Sequence, residues 1–132
     1  MSSHAGVSKK ALWAGRVVSA LPVLALTASG VMKLMKLPAV VEGFAHFGFP
    51  EKLIVPIGVL ELACAVVYLV PQTAVLGAIL LTAYLGGATV THVRAGEPWF
   101  GPVVLGVLAW LGLLLRDARL RPLLPLRRPD HR

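Results

Sequence analysis

Four long apolar stretches, separated by short polar segments, most strongly constrain how this chain can fold. They cover residues 11–32, 53–70, 73–92 and 99–115. The length of each stretch is close to the number of residues, about 20, that an α-helix needs to cross the hydrocarbon core of a bilayer. The composition agrees, because the chain is 57% hydrophobic and only 14% charged and has a mean hydropathy of +0.78. We therefore expect an all-α fold, a four-transmembrane-helix bundle, because helices satisfy their backbone hydrogen bonds internally in lipid.

This pattern divides the chain of 132 residues into three parts. Residues 1–10 form an N-terminal tail, residues 11–115 the membrane domain and residues 116–132 a basic tail. The short connections predict that consecutive helices run antiparallel. Residues 33–52 are too polar and too broken to span, and they contain Phe44, Phe47 and Phe49. We expect a short amphipathic segment there, which lies at the membrane interface or caps the bundle.

The placement of basic residues predicts the orientation in the membrane. The net charge is +7, but the basic residues flank apolar segments, which is typical of membrane topology and argues against a nucleic-acid partner. With four spans, the side of both termini collects most of them: Lys9, Lys10, Arg16, Arg116, Arg119, Arg121, Arg127, Arg128 and Arg132. The other side has Lys33, Lys36, Lys52 and Arg94. The excess predicts a multi-pass protein of the cytoplasmic (inner) membrane with both termini in the cytoplasm, and with the lipid bilayer as its first partner.

One acidic residue, Glu61, lies inside the second apolar stretch. A charge near the bilayer centre costs roughly 2.5–3.5 kcal/mol, so Glu61 should face the interior of the bundle. Helical spacing places small or mildly polar residues on its face and valines on the opposite face. Lys33, at the end of the first span, and His92, at the end of the third, are the candidates to meet it. Such a polar cluster can hold helices together, form a ligand, proton or redox-linked site, or contact another subunit.

Few other residues point to chemistry. The single cysteine, Cys64, excludes an internal disulfide or CxxC pair and is expected to be a buried, inert thiol. No metal-ligand spacing is present, and a bis-histidine haem would need two membrane histidines. Five glycines in the third and fourth spans are expected to permit close helix approach: Gly86, Gly87, Gly101, Gly106 and Gly112.

Three short motifs carry a resemblance to a known family. They are ASGVMKL at residues 28–34, IGVLELACA at residues 57–65 and GGATVTH at residues 86–92. In this order and spacing, the chain resembles the DoxX-like family of small four-helix integral membrane proteins. The resemblance implies a four-helix membrane bundle, and the family's polar residues carry over to Lys33, Glu61 and His92.

The same resemblance implies a link to redox chemistry. The founding member of the family is the small subunit of a thiosulfate:quinone oxidoreductase, and other relatives are linked to redox or thiol-stress complexes. We therefore expect a protein that binds a quinone-like small molecule or anchors a soluble or membrane redox partner. It would be at most a membrane subunit of an oxidoreductase, with quinone as the cofactor to consider, and a homo-oligomer is a further expectation.

Two other classes of function stay open on the sequence. A small-solute transporter or carrier would need a continuous water-lined path past Glu61 to both faces of the membrane. A scaffold or assembly protein without catalysis would present a small-residue face on the fourth span to its partner.

Overall fold

The computed structural model describes residues 6–124, which form five α-helices and three short 3₁₀ segments. The helices are α1 (Lys9–Leu34), α2 (Pro38–Phe47), α3 (Ile54–Leu69), α4 (Ala74–Arg94) and α5 (Phe100–Arg116). The all-α class is confirmed, and α1, α3, α4 and α5 begin and end within one or two residues of the four predicted stretches. The predicted tails lie partly outside the described residues, including Arg127, Arg128 and Arg132. The division into two tails and one membrane domain stays a prediction.

Local sequence signals set the ends of the first two helices. The Ser8 hydroxyl caps α1 by accepting a hydrogen bond from the Ala11 amide at 3.1 Å. Pro38 opens α2 at a position where a missing amide hydrogen costs nothing. Gly48 ends α2 with a φ of 81°, a left-handed conformation that favours glycine.

The four long helices form an antiparallel bundle. Each of α1 and α4 packs against both α3 and α5, so the four helices close a ring around one core. The short helix α2 lies across one end and contacts α3 and α4. We call this the α2 end of the bundle, and we call the opposite end, where α1 begins and α5 ends, the termini end.

The outside of the bundle is apolar, as a bilayer requires. Large hydrophobic side chains such as Leu24, Val59 and Val66 are more than half exposed. A soluble monomer does not expose apolar surface on this scale. Three helical segments are long and apolar enough to cross a membrane, namely Lys9–Leu34, Glu51–Leu69 and Pro71–Arg94, while Phe100–Arg116 is apolar and shorter. The structure is therefore that of a helical membrane bundle, and the count of four spans stays a prediction.

The glycines that allow close helix approach are mostly different from those predicted. A Cβ atom on Gly86, Gly87 or Gly101 would meet nothing within 4 Å, so these three residues do not bring helices together. Gly112 does so, because a Cβ there would lie 2.8 Å from the Ser19 amide nitrogen of α1. Glycines in the first half of the chain also allow close approach, namely Gly15 against α5, Gly30 against α3 and Gly58 against α1 beside Lys33.

The termini end of the bundle is tightly packed. Tyr68 is 1% exposed, and its hydroxyl donates to the Ala109 carbonyl of α5 at 2.6 Å. That carbonyl can only accept, so the Ser19 hydroxyl, 3.1 Å away, donates to the Tyr68 oxygen. One tyrosine thereby links α3 to both α1 and α5.

A second polar contact lies just past the end of α5. Asp117 accepts two side-chain hydrogen bonds from Arg119. These bonds and the negative charge of Asp117 raise the pKa of the Arg119 guanidinium.

Candidate functional site

Glu61 forms a buried ion pair with Lys33. The Lys33 ammonium donates to Glu61 Oε2 at 2.8 Å and to the Ser29 hydroxyl at 2.6 Å. The Glu61 side chain is 2% exposed and that of Lys33 is 15% exposed. Of the two partners predicted from the sequence, the structure thus places Lys33 on the carboxylate.

Local sequence explains why this pair forms. Glu61 shares the buried face of α3 with Gly58, Cys64, Ala65 and Tyr68. A Cβ on Gly58 would lie 2.8 Å from the Lys33 Cβ, so the glycine lets the end of α1 come close to α3. The lysine stem can then run along the helix interface and present its charge directly to the carboxylate.

His92 lies near the pair and does not bond to Glu61. Its Nδ1 is 2.7 Å from the Ala88 carbonyl oxygen, one turn earlier in α4. Because a carbonyl can only accept, Nδ1 carries the hydrogen, and Nε2 of a neutral ring is then an acceptor. Among the described residues, no hydrogen bond reaches Nε2. The ring packs against Phe47 of α2, with centroids 5.0 Å apart.

Tyr84 belongs to the same cluster, and the sequence analysis did not identify it. Its side chain is half-buried, and its hydroxyl lies close enough to the Glu61 carboxylate to interact with it electrostatically. Tyr84, Ala88 and His92 are spaced at i, i+4 and i+8, which places them on one face of α4. This spacing from His92 is the one feature of the sequence that could have identified Tyr84 as a member of the polar cluster.

These polar groups line one wall of a cavity of about 490 Å³. The cavity lies at the α2 end, between α1, α2, α3 and α4, and Glu61 sits behind Lys33 outside its lining. Most lining residues are apolar or glycine, and the polar ones are Lys33, Tyr84, Thr91 and His92. A mostly apolar cavity with a few convergent polar groups is the usual composition of a small-molecule site.

Helix α2 covers the cavity at its end of the bundle. Phe44 is buried, and Phe47 lies on His92. The loop between α4 and α5 holds the helix in place, because His46 Nε2 and Glu97 Oε1 are 2.8 Å apart. The segment between the first two spans was predicted to cap the bundle or to lie at the interface, and here it caps the cavity.

Towards the termini end, the bundle interior is filled. Leu26, Tyr68 and Leu81 are each less than 4% exposed and belong to one continuous core. Tyr68 lies two helical turns beyond Glu61 on α3, so this core blocks the axis of the bundle below the ion pair. In this conformation the cavity ends near Glu61.

The fold and the site together define a class: a helical membrane protein with a buried ion pair beside an apolar cavity. The model of the DoxX-like family matches residues 17–113, which include Lys33, Glu61 and His92. The chain belongs to the DoxX-like family. Neither a curated protein nor a solved structure gives a significant match to the chain.

Proposed function

We propose that the cavity binds a quinone-like small molecule, a lipid-soluble ring that carries oxygen atoms. One observation supports this more than any other: an apolar cavity of about 490 Å³ has four polar side chains on its wall, those of Lys33, Tyr84, Thr91 and His92. Apolar walls favour a ring without charge, and a small number of polar groups favours a ring with a few oxygen atoms.

The hydrogen-bonding inventory fits such a ligand. The Lys33 ammonium has three donors, and Ser29 and Glu61 engage two of them. The third donor is available to a ring oxygen at the cavity wall. His92 Nε2 offers an acceptor for a hydroxyl on the ring, because Nδ1 carries the hydrogen. The cavity can therefore hold an oxygenated ring by donors and acceptors on different helices.

In this proposal, the protein is a membrane subunit that presents the ring to a redox partner. Cys64 is buried and is the one cysteine of the chain, so a thiol reaction would require a second thiol from another protein. Membership in the DoxX-like family supports the membrane role and leaves the partner to experiment. We propose that the protein lies in the inner membrane with both termini in the cytoplasm. This orientation follows from the excess of lysine and arginine on the side of the two termini.

A transporter is less well supported by the geometry. Transport needs a path from the cavity to both ends of the bundle, and the core of Leu26, Tyr68 and Leu81 fills the axis on one side of Glu61. A binding site needs only the one cavity that is present.

Ligand binding can be tested on purified protein in lipid nanodiscs with a methyl-substituted benzohydroquinone as the probe, because its hydroxyls can donate to His92 Nε2 and accept from Lys33. Tyr84→Phe keeps the ring and removes the hydroxyl, and His92→Phe removes the acceptor nitrogen. Each change should weaken binding by about 3- to 10-fold, the effect of losing one net hydrogen bond. Thr89→Val, on the side of α4 that lines a different groove, should leave the affinity unchanged. Wild-type protein that does not bind the probe, or variants that bind as tightly as wild type, would exclude this site.

A further inference from the structure

The cavity is larger than a single ring requires. A cavity of about 150 Å³ in a protein core holds one benzene molecule, and this cavity measures about 490 Å³. Along α4 its lining extends from Ala83 to His92, a rise of roughly 13 Å. The polar groups of Lys33 and His92 lie towards the α2 end, and Tyr84 is the one polar lining residue near Ala83, so the remaining length is a largely apolar extension of the site.

That extension reaches the flank of the bundle. Among the residues that line the cavity, the exposed ones are Leu60 of α3 with Ala83 and Gly87 of α4. Leu60 is 54% exposed. The opening is therefore a lateral slot between α3 and α4, and we define the slot by these three residues.

The slot lies at the depth of the hydrocarbon core. Leu60 is about 9 Å along α3 from its start at Ile54, and Ala83 is roughly 16 Å along α4 from its end at Arg94. Its exposed neighbours on the same helices, Val59 and Ile79, are apolar. At the α2 end, where the cavity would otherwise open to water, helix α2 covers it. A ligand that enters through the slot therefore comes from the bilayer.

We propose that the ligand has a linear apolar tail, and that it enters sideways from the bilayer through the slot of Leu60, Ala83 and Gly87. This inference rests on the proposed function, and it specifies the class of ligand: an oxygen-bearing ring with an attached hydrocarbon chain. The ring occupies the α2 end of the cavity, and the tail leaves between α3 and α4 into the lipid.

Gly87 allows a direct test, because it lines the slot and makes no close packing contact. A Cβ there would meet nothing within 4 Å, so Gly87→Leu should fill the slot without displacing a helix. Gly86→Leu is the matched control, since the neighbouring glycine is equally unpacked and faces the groove between α4 and α5. Leucine is also a better helix former than glycine, so both variants should fold.

The binding experiment compares two probes in lipid nanodiscs, a benzoquinone with a decyl chain and the same ring with a methyl group. Gly87→Leu should lower the affinity for the decyl probe by at least about tenfold and that for the methyl probe by less than about threefold. Gly86→Leu should change neither affinity. Equal losses for both probes, or no loss for the decyl probe, would overturn the tail path.

A second measurement locates the slot without a ligand. A spin label on Ala83→Cys should collide more often with oxygen, which concentrates in hydrocarbon, than with a water-soluble nickel complex; Cys64 is buried and shielded from the label. The decyl probe should then reduce the oxygen collisions. Preferential collision with nickel would overturn lateral entry even if the ring binds. A wild-type protein that binds neither probe would instead refute the proposed function, and the tail path with it.

Discussion

Separating the Lys33–Glu61 pair is the perturbation that the structure makes most informative. At the observed distance of 2.8 Å, two unit charges attract by about 6 kcal/mol at an effective dielectric constant of about 20. This attraction is an upper limit, because desolvation of both groups opposes it. In a bilayer the separated helices also find other partners, and measured couplings between membrane helices reach only about 1.7 kcal/mol.

We therefore expect Lys33→Met to lower the free energy of unfolding by about 2–4 kcal/mol, since it leaves the buried carboxylate without its cation. Glu61→Gln should cost less, because Lys33 keeps its bond to Ser29 and borders the cavity. The double variant should recover part of the loss, with a coupling energy of about 1–2 kcal/mol. The measurement is steric trapping or titration with a denaturing detergent, applied to all four proteins.

A second ion pair in the same protein is the control. Lys36 and Glu51 are 3.2 Å apart, and their side chains are 45% and 61% exposed. The same double-mutant cycle there should give a coupling below about 1 kcal/mol, as for other exposed pairs. If the coupling energy between Lys33 and Glu61 is no larger than that of this exposed pair, the two side chains do not form the buried ion pair that the structure shows, and the reasoning fails.

Two further predictions concern the packing of the bundle. Gly112→Ala should destabilise the fold by about 1–3 kcal/mol, because the new methyl group would lie 2.8 Å from the Ser19 amide nitrogen. Gly101→Ala is the control and should be neutral or slightly stabilising, because nothing lies within 4 Å of a Cβ there. Thermal unfolding in detergent distinguishes the two variants, and equal melting temperatures would contradict the assigned helix contact. Tyr68→Phe should cost about 0.5–1.5 kcal/mol through the lost 2.6 Å bond to the Ala109 carbonyl, and an unchanged free energy of unfolding in the same detergent titration would show that this bond contributes nothing.

Much of the fold could be predicted from the sequence because the bilayer imposes simple rules. Apolar length fixed the positions of the four long helices to within one or two residues. The cost of a charge in lipid predicted that Glu61 would face inward, and its face of α3 is indeed buried while Val59 and Val66 are exposed. Both inferences depend on local spacing along one helix.

What could not be predicted depends on how helices meet. Glycine content in a span does not say which glycine touches a neighbour, and Gly86 and Gly87 border open space. The sequence left Lys33 and His92 as equal partners of Glu61, because the choice depends on side-chain reach across helices. Tyr84 was missed, since a tyrosine in an apolar helix is usually a packing residue. Its role emerges only when α3 and α4 are brought together.

The cavity itself has no signature in the sequence. It exists because α2 lies across the end of the bundle, where Phe47 rests on His92 and His46 reaches Glu97. The residues that line it come from four helices, so only the assembled fold shows that their polar groups converge.

The most direct test of this account is to identify what the cavity holds when the protein leaves its own membrane. Protein purified in a gentle detergent can be analysed by mass spectrometry for the small molecules that it releases. We predict that the wild type retains an oxygen-bearing ring with a hydrocarbon tail and that Gly87→Leu, which fills open space beside the cavity, does not. If both proteins release only the same membrane phospholipids, the cavity is not a site for such a ligand.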